Sequence, residues 1–189
     1  MPNNSKGLLI ILSGPSGVGK GSIRRRLFME NDLNLVYSIS MTTREPRMNE
    51  IDGVDYFFVS RDEFKENIEE GNLIEYSEFV GNYYGTPKSY VERLLNEGKT
   101  VLLEIEVNGA QQVVKKMPQA VTIFLMPPSL EELERRIRGR RTEPESVVRE
   151  RMDKATREMA LQSNYKHVVY NDDLEKASLE IANIIKSYM

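Results

Sequence analysis

The chain has 189 residues, 40% hydrophobic and 29% charged, proportions of a globular protein with one core and too apolar for a disordered one. It contains no cysteine, which excludes a disulfide framework, a thiolate metal site and a cysteine nucleophile. With 26 Lys and Arg against 29 Asp and Glu the formal charge is −3, so no global field draws the chain to nucleic acid or anionic lipid, and any anion site must be local.

The start of the chain, Met1 to Gly7, is polar, and the apolar run that follows, Leu8 to Leu12, is far shorter than a signal core or a membrane span. This predicts a cytoplasmic protein. Short runs rich in Ile, Val and Leu alternate with longer, charged, periodic segments. The predicted strands are Leu8 to Leu12, Val101 to Ile105, Val121 to Leu125 and His167 to Tyr170. Helical spacing and starting signals, such as Ser129 before Leu130, predict helices over Lys20 to Glu30, Ser129 to Arg140, Pro144 to Asn164 and Asp172 to Tyr188. The fold class is α/β, a parallel sheet flanked by helices. Val36 to Val80 breaks this rhythm with Tyr and Phe pairs, scattered Gly and one short helical stretch near Asp62 to Glu70, and reads as a β-rich insertion. There is no repeat, low-complexity tract or Gly/Ser linker, so the insertion is expected to be a subdomain of one unit.

Directly after the first strand comes Gly14-Pro15-Ser16-Gly17-Val18-Gly19-Lys20, which opens a helical pattern. Strand, glycine-rich turn and helix N-terminus together aim backbone N–H groups at one small volume able to cradle a di- or triphosphate, with Lys20 as a mobile positive charge. The bland alternative is a tight turn with a solvated lysine. The general motif carries Ser or Thr after the lysine to ligate magnesium, whereas this chain has Gly21 and then Ser22. The metal must therefore lean on phosphate oxygens, water and carboxylates, or on Ser22.

Further along, Ser40-Met41-Thr42-Thr43-Arg44-Glu45-Pro46-Arg47 sets two arginines three apart, and Pro46 discourages a helix through them. Two converging guanidinium forks suit a phosphate dianion, although single arginines are more often solvated. Glu104 and Glu106 close an apolar strand, share a face by their spacing, and stand where an open parallel sheet meets its ligand. Residues 135–141 read Arg-Arg-Ile-Arg-Gly-Arg-Arg, which by composition alone could be an RNA patch, but no aromatics interleave.

Over essentially its whole length the chain resembles the guanylate kinase family of phosphate-loop nucleoside monophosphate kinases. The matching motifs are Gly14 to Lys20, Ser40 to Arg47, Gly53-Val54-Asp55-Tyr56-Phe57-Phe58, Ile74-Glu75 and Gly81-Asn82-Tyr83-Tyr84-Gly85-Thr86. Glu104-Ile105-Glu106 with Asn108-Gly109-Ala110, and Arg136, Gly139-Arg140 and Arg151, complete the set. The resemblance implies a single domain over residues 1–189: a core of about 1–35, 88–135 and 165–189, a GMP-binding insertion of about 36–87 and a mobile lid of about 136–164. It also implies ATP-dependent phosphorylation of GMP to GDP, with ATP as donor, Mg2+ as cofactor, and no nucleic-acid or membrane partner.

Carried over by position, Gly14, Pro15, Ser16, Gly17, Val18, Gly19, Lys20, Gly21 and Ser22 would hold ATP, with Asn171 on the adenine side. Arg44, Arg47, Tyr56 and Tyr84 would hold the GMP phosphate, and Ser40, Glu75 and Thr86 would read the base. One carboxylate can accept from N1–H and N2–H of guanine side by side, and hydroxyls can donate to O6, whereas adenine would leave these groups unpaired. Glu104 and Glu106 would meet magnesium-bound water or the acceptor's ribose. Lys20, Arg44, Arg136, Arg140 and Arg151 would stabilise the charge that spreads over the migrating phosphoryl group. The family often carries Asp at the two glutamate positions and Gly where Arg141 stands. Each residue also has a structural alternative: Tyr56 and Tyr84 as core cover, Glu75 as an exposed strand residue, Thr86 as the cap of a helix opened by Pro87, and Asp172 as the cap of the last helix. Rival functions are a kinase for another phosphorylated acceptor such as a ribose bisphosphate, and a phosphopeptide-binding module, which would usually have lost the phosphate-loop lysine. A GTPase would need an Asn-Lys-x-Asp motif that is missing here.

Overall fold

In the computed structural model, residues 6–139 and 143–189 are described, and the chain forms two compact units. One comprises Ile10–Leu35, Leu103–Val107 and Val121–Met189; the other comprises Met1–Leu9, Val36–Leu102 and Asn108–Ala120. The α/β reading is borne out. Strands β1 (Leu8–Ser13), β2 (Leu35–Tyr37), β7 (Thr100–Glu104), β8 (Val121–Met126) and β9 (His167–Tyr170) form a sheet in the order β2-β7-β1-β8-β9, with β8 parallel to both β1 and β9. Leu9 to Ser13 and Val121 to Leu125 are buried without a break. Residues of a strand alternate between faces, so an unbroken run means that both faces are covered, as an internal strand of a parallel sheet requires.

In the first unit, α1 (Lys20–Leu27) buries Ile23 and Leu27, and α7 (Leu174–Ser187) buries Ala177, Ser178, Ile181, Ala182 and Ile185. The cap of α7 is Asp173, whose carboxylate accepts from the Lys176 N–H at 2.9 Å, so Asp172 is not the capping residue. Helices α5 (Leu130–Arg138) and α6 (Glu145–Met159) join through a cluster of Leu133, Ile137, Val148 and Ala155, with Met152 and Met159 against it. Ser129 caps α5 as expected, accepting from the Glu132 N–H at 3.1 Å.

The other unit holds a second sheet of β3 (Met41–Thr42), β4 (Phe57–Phe58), β5 (Leu73–Phe79) and β6 (Asn82–Pro87), in the order β4-β3-β6-β5. Helix α2 (Arg61–Glu69) begins with a reciprocal cap between Ser60 and Glu63 and buries Phe64. Helix α3 (Lys88–Asn96) opens after Pro87, where a helix start had been weighed, whereas α4 (Val107–Lys116) was not among the helices expected. The first turn of α4 contains Asn108-Gly109, a pair with turn chemistry, so local propensity argued against the element that forms. Strand β7 stops at Glu104, one position short of the expected end, so Glu106 lies beyond the strand.

Leu12 is fully buried in β1, whereas Leu179 on α7 is 61% exposed. Leu12→Ala should therefore destabilise by about 2–5 kcal/mol, and Leu179→Ala by no more than about 0.5 kcal/mol. Urea denaturation of both variants measures the contrast.

Candidate functional site

Strand β1 delivers the chain to the phosphate loop. Ser13 Oγ donates to the Ile105 carbonyl at 2.6 Å, fastening the start of the loop to the segment after β7. Gly19 is the N-cap of α1 at φ 102°, in the left-handed region, and a Cβ there would stand 2.6 Å from Asn171 Nδ2. Glycine is thus required twice at this position, by conformation and by space. Lys20 Nζ donates to the carbonyls of Gly14 at 2.6 Å and Pro15 at 3.2 Å. Burial holds the Lys20 ammonium below its usual pKa, and the nearby Glu104 carboxylate is the leading charge opposing that shift.

The loop borders a cleft of about 420 Å³, lined among others by Gly14, Ser16, Lys20, Ser22, Glu104 and Glu106. Arg24 pairs with Glu104 at 2.6 Å, and Lys154 reaches both Glu106 oxygens at 3.4 Å. Ser22 Oγ accepts from Arg25 at 3.1 Å. Glu158 also lines the cleft, and its carboxyl is raised above the usual range chiefly by burial. Arg24, Lys154 and Glu158 did not figure among the expected site residues. A signal for two of them was present: Arg151, Lys154 and Glu158 recur at intervals of three and four, which places them on one face of α6.

Of the expected lid arginines, Arg151 donates to Ser16 Oγ at 3.0 Å and pairs with Glu143 at 3.1 Å. Arg136 donates to the carbonyls of Val18 at 3.3 Å and Asn171 at 3.1 Å, and to Glu132 at 3.0 Å. Asn171, only 6% exposed, donates its side-chain N–H to the Val18 carbonyl at 2.8 Å. Arg136 and Asn171 therefore both brace the phosphate loop from its own backbone. Arg140 and Arg141 lie outside the described residues. Among those described, no group of three or more His, Asp or Glu is arranged to hold a metal ion.

The second cluster belongs to the other unit: Tyr84 lies on β6, while Arg44 follows β3 and Tyr56 immediately precedes β4. Arg44 pairs with both oxygens of Glu50 at 2.8 and 2.9 Å, and its guanidinium carbon lies 5.2 Å from the Tyr56 ring centre. The Tyr56 and Tyr84 rings meet edge to face at 6.2 Å. The Arg47 backbone N–H donates to Glu50 at 2.7 Å, while the residue itself is exposed. The Arg44 bond, followed by the Arg47 N–H, draws the Glu50 carboxyl down to about 2, and Glu50 in turn raises Arg44. Glu50 was not foreseen. Tyr84 and Thr86 are two apart on β6 and so face the same side. Thr86 pairs in register with Glu75 on β5, and the buried Thr86 hydroxyl donates to Glu75 Oε1 at 2.7 Å. Glu75 is 5% exposed, so it is not a surface strand residue, and α3 begins after Pro87 with no side-chain cap, so Thr86 is not a helix cap. Ser40 accepts the Phe57 N–H through its backbone carbonyl at 2.9 Å, beside Tyr56. Arg44, Tyr56 and Tyr84 thus come together as one group, and Glu75 with Thr86 as another.

Comparison with known proteins gives the family. The family model described as Guanylate kinase matches residues 6–188. A guanylate kinase of Mesoplasma florum is 55% identical over 181 residues, which cover 96% of this chain and 61% of that protein, so the chain spans less than two thirds of that relative. A guanylate kinase of Bacillus cereus is 56% identical over 180 residues, covering 95% of this chain and 88% of that one. The crystal structure of guanylate kinase from Anaplasma phagocytophilum superposes with a TM-score of 0.76 at 35% identity, covering 98% of this chain and 87% of the other. The phosphate loop, the arginine and tyrosine group of the other unit and these likenesses converge: the chain belongs to the guanylate kinase family.

Proposed function

We propose that the chain transfers the γ-phosphoryl group of ATP to GMP, giving ADP and GDP. The observation that carries this reading is the buried Glu75 carboxylate held by the Thr86 hydroxyl, in the unit that also brings Arg44, Tyr56 and Tyr84 together. A carboxylate fixed in this way accepts from N1–H and N2–H of guanine, and the Ser40 hydroxyl donates to the base oxygen, which the Thr86 hydroxyl can do only by giving up Glu75. Adenine turns a lone pair toward that carboxylate and would leave it unpaired. Arg44, with Arg47, Tyr56 and Tyr84, takes the acceptor phosphate. Since Glu50 already holds both Arg44 nitrogens, the phosphate dianion substitutes for a carboxylate rather than meeting a bare cation.

At the other end, the loop from Gly14 to Ser22 takes the donor phosphates with backbone N–H groups and Lys20, and Arg151 and Arg140 add positive charge to the migrating group. Arg136 and Asn171 contribute by fixing the Val18 carbonyl and, through it, the loop. Magnesium on nucleotide phosphates keeps several waters and needs only one or two protein oxygens. Ser22, Glu104, Glu106 and Glu158 line the cleft, so the residues present fit an ion carried by phosphate rather than a protein cage. When bound, it neutralises charge on the transferring phosphates. Transfer is direct, with the acceptor phosphate oxygen as nucleophile and alignment as the protein's main contribution. ATP and GMP are the partners on this reading, with no nucleic acid, and the compartment is the cytoplasm; no described helix is long and apolar enough to cross a membrane.

ADP production from MgATP should require GMP, with AMP, UMP and CMP inactive. Turnover with every acceptor alike, or with none, would refute the base-reading scheme. Lys20→Ala should lower kcat by about 100- to 1,000-fold. Glu75→Ala should raise KM for GMP by about 10- to 100-fold with kcat largely kept. Removing divalent metal with a chelator should stop turnover, and added Mg2+ should restore it.

A further inference from the structure

Gly109 lies in the first turn of α4, where a glycine weakens the helix relative to alanine. A residue that works against its own element calls for a packing reason. The structure supplies one. A Cβ at Gly109 would stand 2.6 Å from Glu75 Oε2, 3.2 Å from its Cδ and 3.6 Å from its Cγ. The three nearest atoms all belong to one side chain, so the space over this glycine is taken by the carboxylate. Its other oxygen, Oε1, accepts the Thr86 hydroxyl at 2.7 Å. Glu75 is therefore pinned between a hydroxyl on β6 and the bare α-carbon of Gly109. It also lies against a helix N-terminal turn, whose N–H groups lack helical partners and favour negative charge.

Resting on the reading of Glu75 as the guanine acceptor, we propose that Gly109 is a positioning residue for base selection. Its missing side chain lets the carboxylate sit against α4 and on Thr86 together, which fixes the direction in which it accepts from the base. Any side chain at position 109 pushes the carboxylate away, because a flexible side-chain end yields more readily than backbone. The loss falls on recognition and not on folding. Alanine is the better helix former, so a purely structural role for this position in α4 would leave GMP use untouched.

The test compares Gly109→Ala, Glu75→Ala and the double variant for kcat and KM with GMP and with ATP, alongside thermal melting. Gly109→Ala should raise KM for GMP by about 10-fold or more, with KM for ATP and kcat within about twofold and no fall in melting temperature. Where Glu75→Ala has removed the carboxylate, adding Gly109→Ala should change KM for GMP by less than about twofold, since nothing is left to displace. Gly109→Ala with wild-type KM for GMP overturns the proposal, as does an effect that persists in full beside Glu75→Ala or one that follows a drop in melting temperature. If Glu75→Ala itself leaves GMP use unchanged, the base-reading scheme falls, and the role of Gly109 with it.

Discussion

The carbonyl oxygen of Val18 is the point on which the phosphate loop depends. It accepts from Asn171 at 2.8 Å and from Arg136 at 3.3 Å, and these donors arrive from the end of β9 and from α5. Lys20 ties the Gly14 and Pro15 carbonyls at the start of the loop, and the donors on Val18 add support from outside it. Gly19 at φ 102° is what lets the chain pass beneath the Asn171 amide and enter α1. Arg136 thereby joins a side chain of α5 to the loop, and the Leu133, Ile137, Val148 and Ala155 cluster carries that anchorage to α6, which presents Arg151 to Ser16. Arg136 and Arg151, two of the charges expected to serve transfer, thus stand on helices packed together.

In the unit that carries the second sheet, charged side chains are held by partners as well. Arg44 is engaged by Glu50, and Glu75 by Thr86. A buried or half-buried charge without a partner is costly, and one with a partner keeps its rotamer. Arg44 and Glu75 are therefore each held in a definite direction by a neighbouring side chain. For Glu75 the hold is also geometric, because one oxygen is bonded to a hydroxyl and the other lies against a glycine.

The internal strands β1 and β8 were legible because such strands of a parallel sheet are continuously apolar, and the edge strand His167 to Tyr170, with only Val169 buried, was also read to the residue. Helix α5 was legible from the Ser129 cap, and the loop from Gly14 to Lys20 from its setting between a strand and a helix. Helix α4 was hidden by Asn108-Gly109, where packing against Glu75 overrides local preference. The cap of α7 was displaced by one, since Asp172 and Asp173 carry the same side chain and only backbone geometry separates them. The grouping of Arg44, Tyr56 and Tyr84 could be expected from motif resemblance. The partners that orient the site could not: Glu50 and Arg24 act through distances of 2.6 to 2.9 Å to their partners, and Asn171, expected on the adenine side, is found on the Val18 carbonyl, pairings that exist only after folding.

On the proposed reading the phosphoryl group passes directly from ATP to GMP, with no covalent intermediate on the protein. The most direct measurement is the configuration at phosphorus, read by ³¹P NMR on GDP formed from ATP made chiral at its γ-phosphorus. One in-line displacement predicts inversion. Retention of configuration would require a phosphorylated residue between two displacements, and would contradict the account.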